Sequence, residues 1–124
     1  MQTISLIANL RGLHGMLGPH LVIAPLSTLS NWIHEFRMWA PDVPVVMYHG
    51  MPGEREAIFK EMMKKLVRGR PTDQFPVVCT SYEIILRDSS KLSKINWEFI
   101  IIVGLLAEFE HVAALTQPRT RATA

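Results

Sequence analysis

The chain has 124 residues, of which 48% are hydrophobic and 19% are charged, with a formal net charge of +2 and a sequence pI near 8.9. This length corresponds to about one domain, and the small positive charge does not by itself indicate a nucleic-acid partner. The single cysteine excludes an intramolecular disulfide framework and favours a reducing compartment, and no apolar run reaches the ~18–20 residues of a membrane span, so no membrane partner is expected.

The first predicted element is a helix from Gln2 to about Arg11, because apolar residues recur there at helical steps. It ends in a glycine-rich stretch, Gly12–Gly18. These glycines have the spacing G-x-x-G-x-x-G with no strand before them, so they do not form a dinucleotide-binding motif. The amino-terminal residues show no basic n-region and no small-residue cleavage site, so we expect no targeting signal and a location in the cytosol or the nucleus.

The stretch from Leu21 to Trp39 predicts a buried strand, a proline turn and an amphipathic helix. Leu21–Ala24 forms the apolar run, Pro25 closes it, and Pro41 stops the helix. The hydroxyl-bearing residues that could cap this helix are Ser27, Thr28 and Ser30. The apolar face of the helix contains two tryptophans, Trp32 and Trp39, for which core packing is the favoured interpretation.

Strands and helices continue to alternate in the rest of the chain. The predicted elements are a strand at Val43–Tyr48, a helix at about Glu54–Arg68, a strand at Val77–Thr80, a helix at Tyr82–Arg87 capped by Ser81, and a strand at Trp97–Val103. Alternation of this kind predicts an α/β fold with a mostly parallel sheet flanked by helices. The histidines show no ligand spacing, and Cys79 is expected to be a buried small hydrophobic residue. We therefore expect no catalytic residue and no metal ligand.

Four segments, taken together, are similar to one family. They are PLSTLSNWIHEFRMWAP (Pro25–Pro41), VVMYHG (Val45–Gly50), VVCTSYEIILRD (Val77–Asp88) and WEFIIIV (Trp97–Val103). In this order they resemble the Swi/Snf-type chromatin-remodelling helicase-like ATPases, of the lymphoid-specific-helicase or imitation-switch-like branch. The resemblance implies an incomplete first RecA-like lobe of the P-loop NTPase type. It divides the chain into a partial helicase ATP-binding lobe, residues 1–103, and an unrelated tail, residues 104–124, that is expected to be partly disordered.

The resemblance also implies a biological setting. Members of this family use ATP and magnesium, act on double-stranded DNA or nucleosomes, and work in the nucleus. By position in the matching segments, the implied DNA-contacting residues are Pro25, Ser27, Thr28, Asn31, Trp32, Gly50, Thr80, Ser81 and Tyr82. Hydroxyl groups and helix N-termini suit this task because they donate to phosphate without reading sequence.

The sequence departs from the family at the two places that carry ATP chemistry. The family has Gly-Lys-Thr immediately before the position of Gln2, and it continues the last strand into an Asp-Glu box. Here Met1 precedes Gln2, and Gly104–Ala107 follow the strand. Phosphoryl transfer needs the phosphate loop, the metal-binding Asp and an activating carboxylate. We therefore expect this fragment to be catalytically inactive, to bind neither ATP nor magnesium tightly, and to bind DNA weakly because few cations accompany the hydroxyl groups.

Two alternatives remain open at this point. The chain could be a non-catalytic interaction protein or a dominant-negative protein, with a protein partner that pairs with an exposed sheet edge. It could also be an unrelated α/β domain for a small phosphate-bearing ligand.

Overall fold

The computed structural model describes residues 2–15, 17–103 and 120–123. In chain order the elements are α1 Gln2–His14, β1 His20–Ile23, α2 Leu26–Trp39, β2 Val45–Met47, α3 Pro52–Met63, β3 Leu66–Val67, β4 Arg70–Pro71, β5 Val77–Thr80, α4 Tyr82–Leu92, β6 Phe99–Ile102 and β7 Arg121–Thr123. Every helix in these described ranges is too short or too polar to span a bilayer.

Five strands form one parallel sheet in the order β2-β5-β1-β6-β7. In the central strand β1, Leu21 stands opposite Val78 of β5 and Ile100 of β6. Every residue of β1 and β5 is buried, which is expected when helices cover both faces of a parallel sheet. The predicted α/β fold with a parallel sheet and flanking helices is therefore confirmed.

Each face of the sheet packs against its own pair of helices. Alternate residues of one strand point to opposite faces, and in β1 Leu21 belongs to one hydrophobic cluster whereas Val22 belongs to the other. The first cluster contains residues of α3 and α4 such as Met62 and Ile85. The second contains residues of α1 and α2 such as Ile7. This two-sided covering leaves the ends of the strands as the places where loops can present polar groups.

Two predicted helix boundaries are wrong in the first half of the chain. Helix α1 continues through Gly12 to His14. Helix α3 ends at Met63 and does not reach Arg68, because a short hairpin of β3 and β4 follows it. Both central residues of the hairpin turn, Arg68 at φ 54° and Gly69 at φ 77°, have positive φ, as a two-residue primed turn requires. The charge run predicted as one helix is therefore divided between a helix and a hairpin.

The second half of the chain differs from the prediction in α4. Helix α4 extends to Leu92 and contains a kink at Asp88, which has φ −112° and ψ 21°. Of the tail, residues 104–119 lie outside the described residues, and Arg121–Thr123 form β7, which pairs with β6. The expectation that residues 104–124 form an unrelated and partly disordered tail stays a prediction.

Candidate functional site

Three separate segments of the chain meet at the carboxyl edge of the sheet. They follow β1, β2 and β5, which are neighbours in the sheet, and all three strands point the same way. Backbone hydrogen bonds join them directly: the Ala24 amide donates to Thr80 O at 3.0 Å, and the Tyr48 amide donates to Cys79 O at 2.8 Å. The structure therefore brings together the candidate residues that the sequence separates by more than fifty positions.

The first candidate segment lies on α2 and is mostly open to solvent. Pro25, Ser27 and Asn31 are exposed, and Thr28 and Trp32 are half-buried. Asn31 lies five residues after Leu26, which places it about 7.5 Å along the helix axis from the helix start. Pro25, Ser27 and Thr28 therefore lie at the edge itself, whereas Asn31 and Trp32 lie one to two turns away from it.

The predicted capping of α2 is wrong. Its N-cap residue is Pro25, and no side chain caps the helix. The Thr28 hydroxyl instead donates to Pro25 O at 2.9 Å, so it is a donor within the turn and does not accept a helical N–H. The first turn also contains no acidic residue. The positive end of the α2 dipole is therefore not neutralised by a nearby carboxylate.

The second candidate segment is more involved in the fold than the first. Thr80 is fully buried, and its hydroxyl donates to Tyr48 O at 2.7 Å. Ser81 is also buried, and its hydroxyl accepts the Ile84 amide at 3.4 Å, which confirms the predicted cap of α4. Tyr82 is half-buried at the start of that helix. In this segment Tyr82 is the candidate side chain with the largest surface to offer to a ligand.

Gly50 occupies a position that only glycine fits well. Its φ is 118°, a conformation that side chains with a Cβ rarely adopt. A Cβ added there would lie 3.1 Å from Cδ of Glu54. The Glu54 carboxylate accepts the Met51 amide at 3.0 Å, so it occupies this space while it caps the start of α3. The loop backbone at Gly50 consequently passes close to α3.

A buried network that the sequence interpretation missed lies directly behind this loop. Arg55 and Asp88 are 5% and 7% exposed. The Arg55 guanidinium donates from Nε to Asp88 Oδ2 at 2.9 Å and from Nη2 to Oδ1 at 3.2 Å. The Tyr48 hydroxyl donates to the same Oδ2 at 2.5 Å, and Arg55 Nη1 donates to Gly50 O at 2.8 Å. One guanidinium thus contacts both the loop after β2 and the kink of α4.

The network changes the acid–base properties of its members. Burial alone would raise the pKa of Asp88, but the hydrogen bonds from Arg55 and Tyr48 outweigh it and hold that pKa below its usual value. Burial, together with the bond to this carboxylate, raises the pKa of Tyr48. The hydrogen bond to Asp88 raises the pKa of Arg55. All three groups therefore keep their ordinary charge states over a wide pH range, as a structural clamp needs.

A helical period was the signal that could have located these two charged residues. Arg55 precedes Ile58 and Met62 at steps of three and four residues, so the period places it on the core face of α3. Asp88 follows Ile84 and precedes Leu92 at steps of four, so it lies on the core face of α4. The local pattern, however, does not show that these two positions face each other.

The two tryptophans of α2 differ in their surroundings. Trp32 packs against the second hydrophobic cluster and contacts Phe36, with ring centroids 6.3 Å apart. Trp39 is 62% exposed, so the prediction of core packing is wrong for it. Its indole N–H donates to the Glu35 carboxylate at 2.7 Å. It borders a groove of about 440 Å³, shared with Arg11, that lies at the amino edge of the sheet.

The sequence lacks the two motifs that the family resemblance associates with ATP and magnesium. The 124 residues contain neither a Gly-Lys-Thr nor an Asp-Glu sequence, and Gly104–Ala107, which follow β6, carry no carboxylate. In the part of the chain that the structure describes, no group of three or more His, Cys, Asp and Glu residues could hold a metal ion. No step of ATP chemistry can therefore be assigned to these residues.

Comparison with known proteins adds sequence relatives to this geometry. A family model described as SNF2-related domain matches residues 1–103. The ISWI chromatin-remodeling complex ATPase ISW1 of Saccharomyces cerevisiae is 47% identical over 102 residues, which are 82% of this chain and 8% of that protein. The ATP-dependent DNA helicase DDM1 of Arabidopsis thaliana is 38% identical over 103 residues, with shares of 82% and 13%.

A third relative extends the similarity. The ATP-dependent helicase brm of Drosophila melanogaster is 43% identical over 117 residues, which are 94% of this chain and 7% of that protein. This share is larger than residues 1–103 alone would give, so the alignment extends beyond Val103. The chain spans 7% to 13% of the length of these three relatives.

Solved structures agree with the fold. The chain is similar to the Sulfolobus solfataricus SWI2/SNF2 ATPase core in complex with dsDNA, with a TM-score of 0.71 and 24% identity. It is also similar to the Sulfolobus solfataricus SWI2/SNF2 ATPase core domain, with a TM-score of 0.67 and 25% identity. Each match covers 98% of this chain, and 24% and 23% of the respective solved chains. The parallel sheet with its flanking helices is therefore that of a RecA-like ATPase core.

Proposed function

The chain belongs to the SNF2-related family, and from this premise we propose that it forms part of the first RecA-like lobe of an ATP-dependent DNA translocase that remodels chromatin in the nucleus. In this proposal the chain supplies one part of the surface that contacts DNA. The observation that carries the proposal is the meeting of the Pro25, Gly50 and Ser81 segments at one sheet edge, joined by hydrogen bonds between neighbouring strands.

The proposed contact is with the phosphate backbone of DNA and does not read sequence. The start of α2 is exposed, has no side-chain cap and has no carboxylate in its first turn, and helix N-termini of this kind favour anions. Ser27 and Asn31 add exposed polar groups on the same helix. Gly50 and Tyr82 belong to the two neighbouring segments. Donors of these types position a duplex without distinguishing its bases.

The affinity of the isolated chain for DNA is expected to be low. The net charge is only +2, and the candidate residues include no lysine or arginine. Affinity for DNA depends mainly on the number of phosphates neutralised by such cations. We therefore expect a dissociation constant at or above the non-specific range of ~10⁻⁴–10⁻⁶ M, with a shallow dependence on salt.

A charge placed at the start of α2 tests this proposal. Ser27→Asp puts a carboxylate in the uncapped first turn, whereas Ser90→Asp puts the same charge on an exposed serine near the end of α4, away from the carboxyl edge. Binding to a fluorescent DNA duplex is measured by anisotropy at low salt. Ser27→Asp should weaken binding at least about fivefold and Ser90→Asp less than twofold, since one phosphate contact is removed only in the first variant. Equal weakening of DNA binding by both variants would contradict the proposed DNA contact at the carboxyl edge.

We further propose that this chain does not hydrolyse ATP by itself. The groups that carry ATP chemistry in such motors, a phosphate loop and an acidic box, do not occur in its sequence. A phosphate-release assay with magnesium, with and without DNA, tests this. ATP turnover that co-elutes with the purified chain would overturn it.

A non-catalytic interaction protein is the second candidate function. In the described sheet, β2 is an outer strand, and a groove of about 370 Å³ runs between it and α3, lined by residues such as Val46, Ile58 and Met62. An outer strand beside an apolar groove suits pairing with an extended segment of a partner. Sedimentation of the chain with a full-length SNF2-family ATPase tests this, and a lack of co-sedimentation would exclude this second function.

Family membership makes the alternative of an unrelated phosphate-ligand domain wrong.

A further inference from the structure

We propose that Arg55 is a positioning residue of the carboxyl edge: it holds the Tyr48–Met51 loop against α4, so that two of the three proposed DNA-facing segments form one rigid surface. The inference rests on the proposed DNA contact for its consequence. The holding of the loop itself can be tested without DNA.

The argument starts from the donors of Arg55. A guanidinium is a planar fork whose donors have fixed directions. Two of them, Nε and Nη2, form a bidentate pair with the Asp88 carboxylate, which fixes the plane of the fork. The remaining nitrogen, Nη1, then points at Gly50 O, 2.8 Å away. Asp88 thus orients Arg55, and Arg55 in turn holds the loop carbonyl.

The loop is fixed at a second point by the same carboxylate. The Tyr48 hydroxyl donates to Asp88 Oδ2, so Tyr48 and Gly50 are both tied to the kink of α4. Gly50 needs this restraint, because a glycine at φ 118° has more accessible backbone conformations than any other residue. Helix α4 begins at Tyr82, the half-buried residue that ends the second proposed segment. The contacts with Asp88 at the kink thereby fix the position of the loop relative to the start of α4.

Lysine is the informative substitution at this position. Arg55→Lys keeps one positive charge beside Asp88, but an ammonium on a flexible stem cannot make a bidentate pair and also reach a third acceptor in a fixed direction. The variant therefore loses the Gly50 bond while it keeps the ion pair. Lys64→Gln is the matched control, since it removes the charge of the C-cap residue of the same helix from an exposed pair with Glu61.

Amide hydrogen exchange of the full chain reports on the loop. The amides of Tyr48 and Met51 are bonded in the structure, and those of Leu21 and Val22 lie in the central strand. In Arg55→Lys we expect exchange at Tyr48 and Met51 to accelerate about tenfold relative to the central strand, as loss of a hydrogen bond to a charged donor predicts. Acceleration of all four amides by one common factor would show a merely global loss of stability and would overturn the inference.

A second variant applies if Arg55→Lys does not fold. Arg55→Met combined with Asp88→Leu and Tyr48→Phe replaces the whole buried polar network by apolar side chains, which is often neutral or stabilising. It still removes the hold on Gly50, so faster exchange confined to the loop supports the inference. Unchanged exchange in a folded triple variant overturns it.

DNA binding separates this inference from the proposed function. If the unmodified chain binds a DNA duplex, Arg55→Lys should raise the dissociation constant about fivefold, with Lys64→Gln changing it less than twofold. An unchanged constant in Arg55→Lys, despite a loosened loop, would overturn the positioning role. If the unmodified chain shows no DNA binding up to millimolar concentration, the proposed function fails, and amide exchange alone decides whether Arg55 holds the loop.

Discussion

Removal of one hydroxyl group from Tyr48 should measurably destabilise the fold. Tyr48 is fully buried, and its hydroxyl donates to Asp88 Oδ2 at 2.5 Å. Tyr48→Phe keeps the aromatic ring and its packing, and it leaves the two Arg55 bonds to Asp88 in place. A hydrogen bond to a charged group contributes about 1.5–3 kcal/mol. We therefore expect the free energy of unfolding to fall by about 2 kcal/mol, which corresponds to a fall of about 6–10 °C in Tm.

Urea unfolding followed by circular dichroism at pH 7 measures this change. Glu61→Gln is the control, because it breaks a pair with Lys64 in which both side chains are about two-thirds exposed, and such pairs contribute at most about 1 kcal/mol. Tyr48→Phe should also move the acid unfolding transition to higher pH, since one of the bonds that lower the pKa of Asp88 is gone. If Tyr48→Phe and Glu61→Gln have the same stability, the hydroxyl contributes nothing, and the argument from the buried network is refuted.

Three further predictions concern the same chain. The folded pKa of Asp88 lies below its unfolded value of about 3.9, so its stabilising contribution is present above about pH 3.9 and is lost as the pH falls through the folded pKa. Asp88→Asn should therefore flatten the acid side of a curve of unfolding free energy against pH, and an unchanged acid side in that variant would contradict this. Burial raises the pKa of the Cys79 thiol to about 12, so the free energy of unfolding should decline as the pH rises above the unfolded pKa of about 8.5. A thiol reagent at pH 8 should label Cys79 no faster than the chain unfolds, and rapid labelling of the folded chain would show that the thiol is accessible. Trp39→Ala should change the free energy of unfolding by less than about 0.5 kcal/mol. Trp97→Ala should lower it by about 3–5 kcal/mol, because the Trp97 ring is fully buried and its Nε1 donates to Leu92 O at 2.9 Å. Equal losses in chemical denaturation would show that the exposure of Trp39 is not maintained in solution.

The order of elements and the family could be predicted from the sequence because both depend on local patterns. Short apolar runs predicted the strands at Leu21–Ala24 and Val77–Thr80 to within a residue. A parallel strand buried on both faces has no polar alternation, so its composition alone distinguishes it from its surroundings. The hydroxyl of Ser81 is likewise a local capping signal, and its bond to the Ile84 amide confirms the predicted start of α4.

Local patterns were insufficient where a second element decides the outcome. The run from Glu54 to Arg68 has helical composition throughout, but the β3–β4 hairpin ends α3 at Met63 through a turn with two positive φ values. Trp39 has the period of a core residue, yet it is the last residue of α2 and is mostly exposed. The end of α3 and the exposure of Trp39 both depend on neighbouring elements, and a helical period contains no information about these.

The sequence by itself determined the positions of the main strands and helices, which helix faces are apolar, and which family the chain resembles, since these follow from the spacing of apolar residues and from four matching segments. Only the tertiary structure decided which strands are neighbours and which charged residues meet. The sheet order places β5 between β1 and β2, and this order alone brings the three candidate segments to one edge. It also brings Arg55 of α3 to Asp88 of α4, 33 positions later in the chain. A buried charge is stable only when a partner satisfies it. Here the packing of α3 beside α4 on one face of the sheet supplies that partner, and no local pattern contains this information.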